Sequence, residues 1–259
     1  MTFRSSTLPI VILALSASVS QAASPSTLPF APVETLTYKL TWSVFAAGQL
    51  VATLSQAGGN SGDPYEVKAV ARSRGFVSLL YQVHDDFQSV FDPTNLCSLR
   101  VSKSIQEGRR RKETRIVFDR QRKLAILDER DLAKPADPPK HTETETPGCV
   151  TDLVTAFYYL RAQPLQVGQQ ILIPVNDGSR TSEVTGQVQA REEIQTSMGR
   201  RFAFRVEPTV FGGLYQRKGR MLIWFSDDPQ RLPLRIKAVI SVGTIVGELQ
   251  SATQSPAQH

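Results

Sequence analysis

The sequence predicts a mainly β protein: a curved antiparallel sheet or half-open barrel of about a dozen strands, with one principal helix packed on it. Three observations carry that prediction. Segments in which apolar and polar residues alternate recur from Glu34 to Leu249, bounded by Gly, Pro, Asn or Asp. A single stretch, Thr151–Ala162, has a full helical stripe. No strand–helix–strand alternation occurs, which argues against a parallel sheet.

The first 22 residues are set apart from the fold. Arg4 precedes a short apolar run, Ile10–Val19, and Ser20-Gln21-Ala22 places small residues at the −3 and −1 positions of a cleavage site. This is the pattern of a secretory signal peptide cleaved after Ala22. The run is too short for a membrane-spanning helix, which needs about 20 residues. Residues 23–33 hold three prolines and read as an extended leader. A single β-rich domain is expected over 34–250 and a disordered tail over 251–259.

Within the domain, Leu36, Tyr38, Leu40 and Trp42 alternate with polar neighbours and give a strand with one buried face. Ala46-Ala47-Gly48 reads as a tight connection into a strand over Gln49–Gln56, and Gly58–Pro64 as a loop. Tyr65–Arg74 is a strand. Phe76, Leu79, Leu80 and Val83 have the i, i+3, i+4, i+7 spacing of a helical turn. Phe87–Phe91 is a short strand, Leu96–Gln106 and Arg110–Asp119 flank a hairpin break at Glu107-Gly108, and Lys123–Glu129 adds a strand. Residues 131–148 are rich in Pro, Thr, Glu and Lys, and read as an exposed loop.

Thr151–Ala162 is the helix. Thr151 or Asp152 caps it, Leu153, Ala156, Phe157 and Leu160 form its stripe, Arg161 suits its C-terminal dipole, and Pro164 ends it. Gln170–Val175 and Thr181–Gln195 form a hairpin around Asn176-Asp177-Gly178. Gly199–Glu207 follows, and then a glycine-containing apolar loop at Phe211–Tyr215. In Met221–Leu249, Leu222 and Trp224 point one way and Ile223 and Phe225 the other; Ser226–Pro229 then breaks the chain, and Leu234–Val242 alternates strictly.

Three stretches, YKLTWSVFAAG (Tyr38–Gly48), DLVTAFYYLRAQPLQVG (Asp152–Gly168) and WFSDDPQRLPLRIKAVISVGTIVG (Trp224–Gly247), resemble in that order the domain-of-unknown-function family 3108 of bacterial exported proteins. The resemblance implies a signal peptide and supplies no catalytic motif. It also implies a design similar to half-barrel lipoprotein carriers, in which a curved antiparallel sheet wraps an apolar cavity and helices plug it.

Composition narrows the chemistry. The net charge is +6, falling to +5 once Arg4 leaves with the signal. In an exported protein that surface suits anionic lipid or acidic polymer rather than nucleic acid. The basic run Arg109, Arg110, Arg111, Lys112 and Arg115 reads as an anion-facing patch or as the solvated tip of a hairpin. It lacks the interleaved aromatics that nucleic-acid stacking needs. An exported chain keeps disulfides. Its two cysteines, Cys97 and Cys149, allow one pairing; the alternative is two separate thiols.

The histidines are His84, His141 and His259, too few and too scattered for a histidine-rich zinc set, and no cofactor motif is present. His84-Asp85-Asp86 is the best polar cluster: a base with its carboxylate, or a solvated strand edge. Asp227-Asp228 resembles a carboxylate pair, but its position before Pro229 suits turn initiation, with Arg231 as a partner for one acid. Trp42, Phe157, Tyr158, Phe211, Tyr215 and Trp224 are candidate walls of a cavity for acyl chains; the same aromatics serve equally as solid core. The expectation is an exported periplasmic, non-enzymatic protein that binds a lipid-like ligand or lipoprotein acyl chain in envelope maintenance. The alternatives are a scaffold that docks a protein partner through the basic hairpin and strand edges and, third, an enzyme on an envelope polymer using His84.

Overall fold

The computed structural model describes residues 28–57, 62–209 and 219–255. The signal peptide with its cleavage after Ala22, the start of the leader, Phe211, Tyr215 and His259 lie outside the described residues. Fourteen strands form one antiparallel sheet that does not close.

The first eight strands run as a meander: β1 (Val33–Trp42), β2 (Phe45–Gln56), β3 (Tyr65–Ser73), β4 (Val83–Phe91), β5 (Ser98–Glu107), β6 (Arg110–Asp119), β7 (Leu124–Asp131) and β8 (Lys140–Glu145), with the short helix α1 (Gly75–Leu80) between β3 and β4. Helix α2 (Leu153–Ala162) then carries the chain from one sheet edge to the other. A second meander follows: β9 (Gln170–Asn176), β10 (Thr181–Thr196), β11 (Gly199–Pro208), β12 (Arg220–Ser226), β13 (Pro233–Ile240) and β14 (Gly243–Ser255). It ends with β14 against β1, so the first and last strands form the seam in the middle of the sheet.

The sheet curls until its edge hairpin meets the inner residues of the opposite half. The turn between β9 and β10 lies on β6 and β7: a side chain at Gly178, which has φ +94°, would come within 2.5 Å of Leu127 and 2.9 Å of Ile116. The segment before α2 bridges the remaining gap. Val150 O accepts from Ser98 N–H at 2.8 Å, and Thr151 pairs with Val175.

Helix α2 packs inside the concavity. Leu160 packs with Ile171, Ile173, Val188, Ile223 and Phe225. On another side Tyr158 enters an aromatic cluster with Phe30, Tyr65 and Phe91, its ring centroid 5.1 Å from that of Phe30. Asp152 caps the helix, accepting from the N–H groups of Val154 and Thr155. Its other oxygen accepts from the hydroxyls of Ser89, Ser98 and Thr155 at 2.5, 2.7 and 2.7 Å. This buried carboxylate therefore ties the helix to β4 and β5.

The C-terminal turn of α2 is anchored by a buried ion pair. Arg161 is 1% exposed and Glu34 0%. Nη1 and Nη2 donate to the two Glu34 carboxylate oxygens at 2.6 and 2.9 Å, and Nε and Nη2 donate to the carbonyls of Arg231 and Gln230 at 3.1 and 3.0 Å. The guanidinium also sits over the Phe30 and Tyr158 rings. Burial by itself favours the neutral form of Arg161, but the hydrogen bonds and charge of Glu34 outweigh it and hold its pKa above the ordinary value.

Several expectations are corrected here. The turn out of β1 falls at Ser43-Val44, not at Ala46–Gly48. Ser43 takes the left-handed conformation, and Ala46 and Gly48 pair across the hairpin. Residues 140–145, expected as loop, form the edge strand β8; none of its side chains is buried, so no alternation marks it. The tail expected to be disordered from 251 is strand as far as Ser255, because the start of β1 supplies its partner. The leader is not merely extended: Phe30 is buried among Tyr65, Phe91 and Tyr158.

Removing one member of the ion pair leaves an uncompensated buried charge. Arg161→Ala should lower unfolding free energy by about 3–5 kcal/mol in urea titration, and Arg161→Met with Glu34→Leu should recover most of that loss. A double variant as unstable as the single one would disprove the assignment. Cys97 and Cys149 are bonded across 52 residues, with Cα atoms 5.2 Å apart. The loop-entropy relation puts the effect of reducing that bond at about 4 kcal/mol, which the urea midpoint with and without reductant will show.

Candidate functional site

Three turns and α1 meet where β1 ends. Ser43 N–H donates to Thr244 O at 2.6 Å, and Trp42 Nε1 donates to Val242 O at 2.9 Å, so the β1–β2 and β13–β14 turns are joined. Arg74 N–H donates to Ala47 O at 2.8 Å and tethers the start of α1 to β2. The Phe45 and Phe76 ring centroids are 6.4 Å apart. Gly108 N–H donates to Gln82 O at 2.8 Å, which sets the β5–β6 tip beside Tyr81. The result is one continuous rim.

The rim is apolar and faces water. Val44 is 86% exposed, Leu79 83% and Phe76 61%, and Phe45, Leu80, Tyr81 and Val242 are also exposed. Helix α1 buries only Val77. The helical spacing of Phe76, Leu79 and Leu80 ordinarily marks a stripe facing the core; here the stripe points outward. Contiguous exposed apolar surface of this kind marks interaction sites. Arg72, Arg74, Arg109 and Arg111 are exposed on the strands and turns around it, and among the described residues they carry no ion pair.

The structure disperses the residues expected to line an internal cavity. Trp42 is committed to the rim through its bond to Val242. Phe157 packs beside the Leu160 cluster and Tyr158 within the aromatic one. Trp224 lies on the opposite face of β12 from Ile223 and Phe225, as the alternation predicts; its Nε1 donates to Glu192 at 2.7 Å and Arg235 covers its ring. Three clefts of about 580, 570 and 360 Å³ open on the surface, and none is lined by any of these four side chains.

The basic run is likewise divided. Arg110 and Lys112 share the face of β6 that carries Thr114 and Ile116, and bond Glu107 and Glu129 at 3.0 and 2.7 Å. Arg111 and Arg115 stand on the other face. Only its tip, Arg109 with Arg111, joins the rim.

His84 Nε2 lies 3.3 Å from Asp86 Oδ2 without hydrogen-bonding geometry. Asp85 points to the opposite face and is buried. Asp227 pairs with Arg191, whereas Asp228 holds its turn by accepting from Ser226 Oγ and from the N–H groups of Gln230 and Arg231. Arg231 therefore meets Asp228 through its backbone and not as an ion pair. Among the described residues, no three His, Cys, Asp or Glu side chains converge as metal ligands. Of the seven apolar rim residues, Phe76, Leu79 and Leu80 were legible as a helical turn but not as a surface, and Val44, Phe45, Tyr81 and Val242 lie at element ends and turns where no period marks them.

The fold and this surface define an open, barrel-like antiparallel β protein with a helix packed in its concavity. Residues 37–250 match the family described as protein of unknown function (DUF3108), and the chain belongs to that family. A crystal structure of a beta-barrel-like protein of domain of unknown function DUF1849 from Brucella abortus is similar to it, with TM-score 0.55 and 9% identity, covering 87% of this chain and 99% of that one. At that identity the likeness is one of fold. No curated protein sequence gives a significant match.

Asp85 makes the rim's underside sensitive to pH. Its Oδ1 accepts from Gln106 N–H at 3.0 Å. Burial pushes the carboxyl up from 3.8 to about 6; the Gln106 bond opposes that shift and the Glu107 carboxylate adds to it. A raised carboxyl pKa means that the folded state holds the proton more tightly, so this contribution to stability is full below pH 3.8 and is lost as pH rises through about 6. Asp85→Asn keeps the acceptor and removes the charge. It should raise the urea midpoint at about pH 7.5 and flatten its pH dependence between about pH 4 and 7. An unchanged slope would show that Asp85 ionises freely.

Proposed function

We propose that this is an exported, non-enzymatic lipid-binding protein of the periplasm, acting in envelope maintenance, and that lipid meets it at the rim rather than inside the sheet. The observation that carries the reading is the continuous exposed apolar surface of Val44, Phe45, Phe76, Leu79, Leu80 and Val242, with four arginines around it that make no ion pair among the described residues. Apolar side chains reaching into the acyl boundary, with cations at the headgroup level, are the two components of binding at an anionic membrane surface. The signal-like first 22 residues and the disulfide support an exported location. Among the described residues no helix is long and apolar enough to cross a membrane.

The magnitudes favour reversible docking. Full burial of a Leu or Phe contributes roughly 1.5–3 kcal/mol, and a basic residue at an anionic surface about 1 kcal/mol. Several half-inserted side chains with four arginines are enough to hold the protein at a bilayer while leaving it free to detach. The competing reading, a scaffold whose basic hairpin docks a protein, shares Arg109 and Arg111 with the rim but has no need of the apolar residues.

Vesicle sedimentation separates these readings. The protein should pellet with phosphatidylglycerol-containing vesicles and less with zwitterionic ones. Phe45→Ser with Leu79→Ser should weaken binding at least tenfold, a loss of about 1.4 kcal/mol or more. Arg109→Glu with Arg111→Glu should weaken it and remove its salt dependence. Vesicle binding that survives both pairs of substitutions would dismiss the rim as the lipid surface.

A further inference from the structure

At the other end of β1 lies a cleft of about 570 Å³, between the exit of α2 and the β12–β13 turn. Its volume is within the range of small-molecule sites, roughly 300–1,000 Å³. Leu28, Pro29, Ala162, Pro164 and Pro229 supply apolar walls, and among the described residues the only charged side chains lining it are Arg161 and Arg231. The Glu34 carboxylate neutralises the first. The second is different. Arg231 Nη1 is buried and has no hydrogen-bond partner, and among the described residues Arg231 makes no ion pair.

Its backbone is constrained to hold it there. Arg231 has φ +45°, a left-handed conformation that a non-glycine residue rarely adopts. Both sides of the peptide are fixed: Asp228 Oδ1 accepts from its N–H at 3.1 Å, and its carbonyl accepts from the buried Arg161 Nε at 3.1 Å. Strain of this kind costs of the order of 1 kcal/mol, and it holds the partly exposed Arg231, with no ion pair among the described residues, against the cleft. The end of α2 brings about half a unit of negative charge to the cleft; the full charge of Arg231 outweighs it.

We infer that this cleft is a second binding site, for an alkyl carboxylate: a single anionic group bonded to Arg231, carried on an apolar body that lies against the proline and leucine walls. The site is independent of the rim. A ten-residue strand separates them, about 30 Å at the usual rise of an extended chain.

Calorimetric titration of the full chain with dodecanoate, below its micelle concentration, tests the inference, with dodecanol as the uncharged control. Dodecanoate should bind at one site, and dodecanol at least tenfold more weakly. Arg231→Gln should weaken dodecanoate at least tenfold. Arg231→Gly should lose it equally with no fall in Tm, since glycine accepts the left-handed backbone. Phe45→Ser with Leu79→Ser should leave dodecanoate binding unchanged. The inference is overturned if dodecanoate fails to bind, if either Arg231 variant binds as wild type, if dodecanol binds as well as dodecanoate, or if the rim variant abolishes binding. The last outcome would place the carboxylate at the rim and leave the lipid-docking reading intact. Wild-type protein that binds dodecanoate but not anionic vesicles would do the reverse.

Discussion

The Arg161–Glu34 pair sets the geometry on which the rest of the molecule depends. Transferring two charges into a protein interior costs several kcal/mol per ion, and the mutual attraction offsets that only with good geometry and satisfied hydrogen bonds. Both conditions are met. The contact is bidentate, two backbone carbonyls take further guanidinium protons, and Gln254 Nε2 donates to Glu34 at 2.7 Å. One side chain of α2 thereby fixes the start of β1, the turn before β13 and the end of β14. An apolar pair of similar size would stabilise as well, but it would not fix direction. Five directed bonds that join α2 to three other segments specify where the helix ends and how the seam strands lie against it.

A helix held in that position determines what the sheet is able to enclose. Helix α2 takes up part of the concavity of the curled fourteen-stranded sheet, with Leu160 on one side and Tyr158 on another. The Tyr158 and Tyr38 hydroxyls are pushed well above their ordinary pKa by burial, with Arg161 opposing the shift, as expected deep inside a filled interior. The two proposed surfaces lie at the strand ends, where turns and short helices escape the pleat and place side chains freely.

Much of the fold was legible because burial on one face leaves a period of two. Leu36 and Tyr38, Val67 and Ala69, and the split of Leu222 and Trp224 from Ile223 and Phe225 all read correctly. Strand β8 failed the same test for the complementary reason: as an exposed charged edge it has no buried face to mark it. Cavity wall and solid core stayed open alternatives for the aromatics because an aromatic residue has the same sequence signature whether it lines a void or fills one. Trp224 shows this, since its indole N–H is bonded to Glu192, an acid 32 positions away. The central pair was invisible on similar grounds. Arg161 read as a dipole partner at a helix end and Glu34 as the polar start of a strand; they are 127 positions apart, and only the meander's return brings them together.

That return also explains why both proposed surfaces lie on the seam. The rim joins Trp42 to Val242 across 200 positions, and at the opposite end Glu34 meets Gln254 across 220. Contacts this distant in sequence carry the largest loop-closure entropy, so they are rewarded only after the two meanders have formed and α2 has connected them. A chain with either meander unfolded has neither the joined turns of the rim nor the clamped Arg231 peptide. Both surfaces are therefore properties of the completed sheet, and the exposed apolar side chains of the rim become a single surface only once the strand ends that carry them have been brought into line.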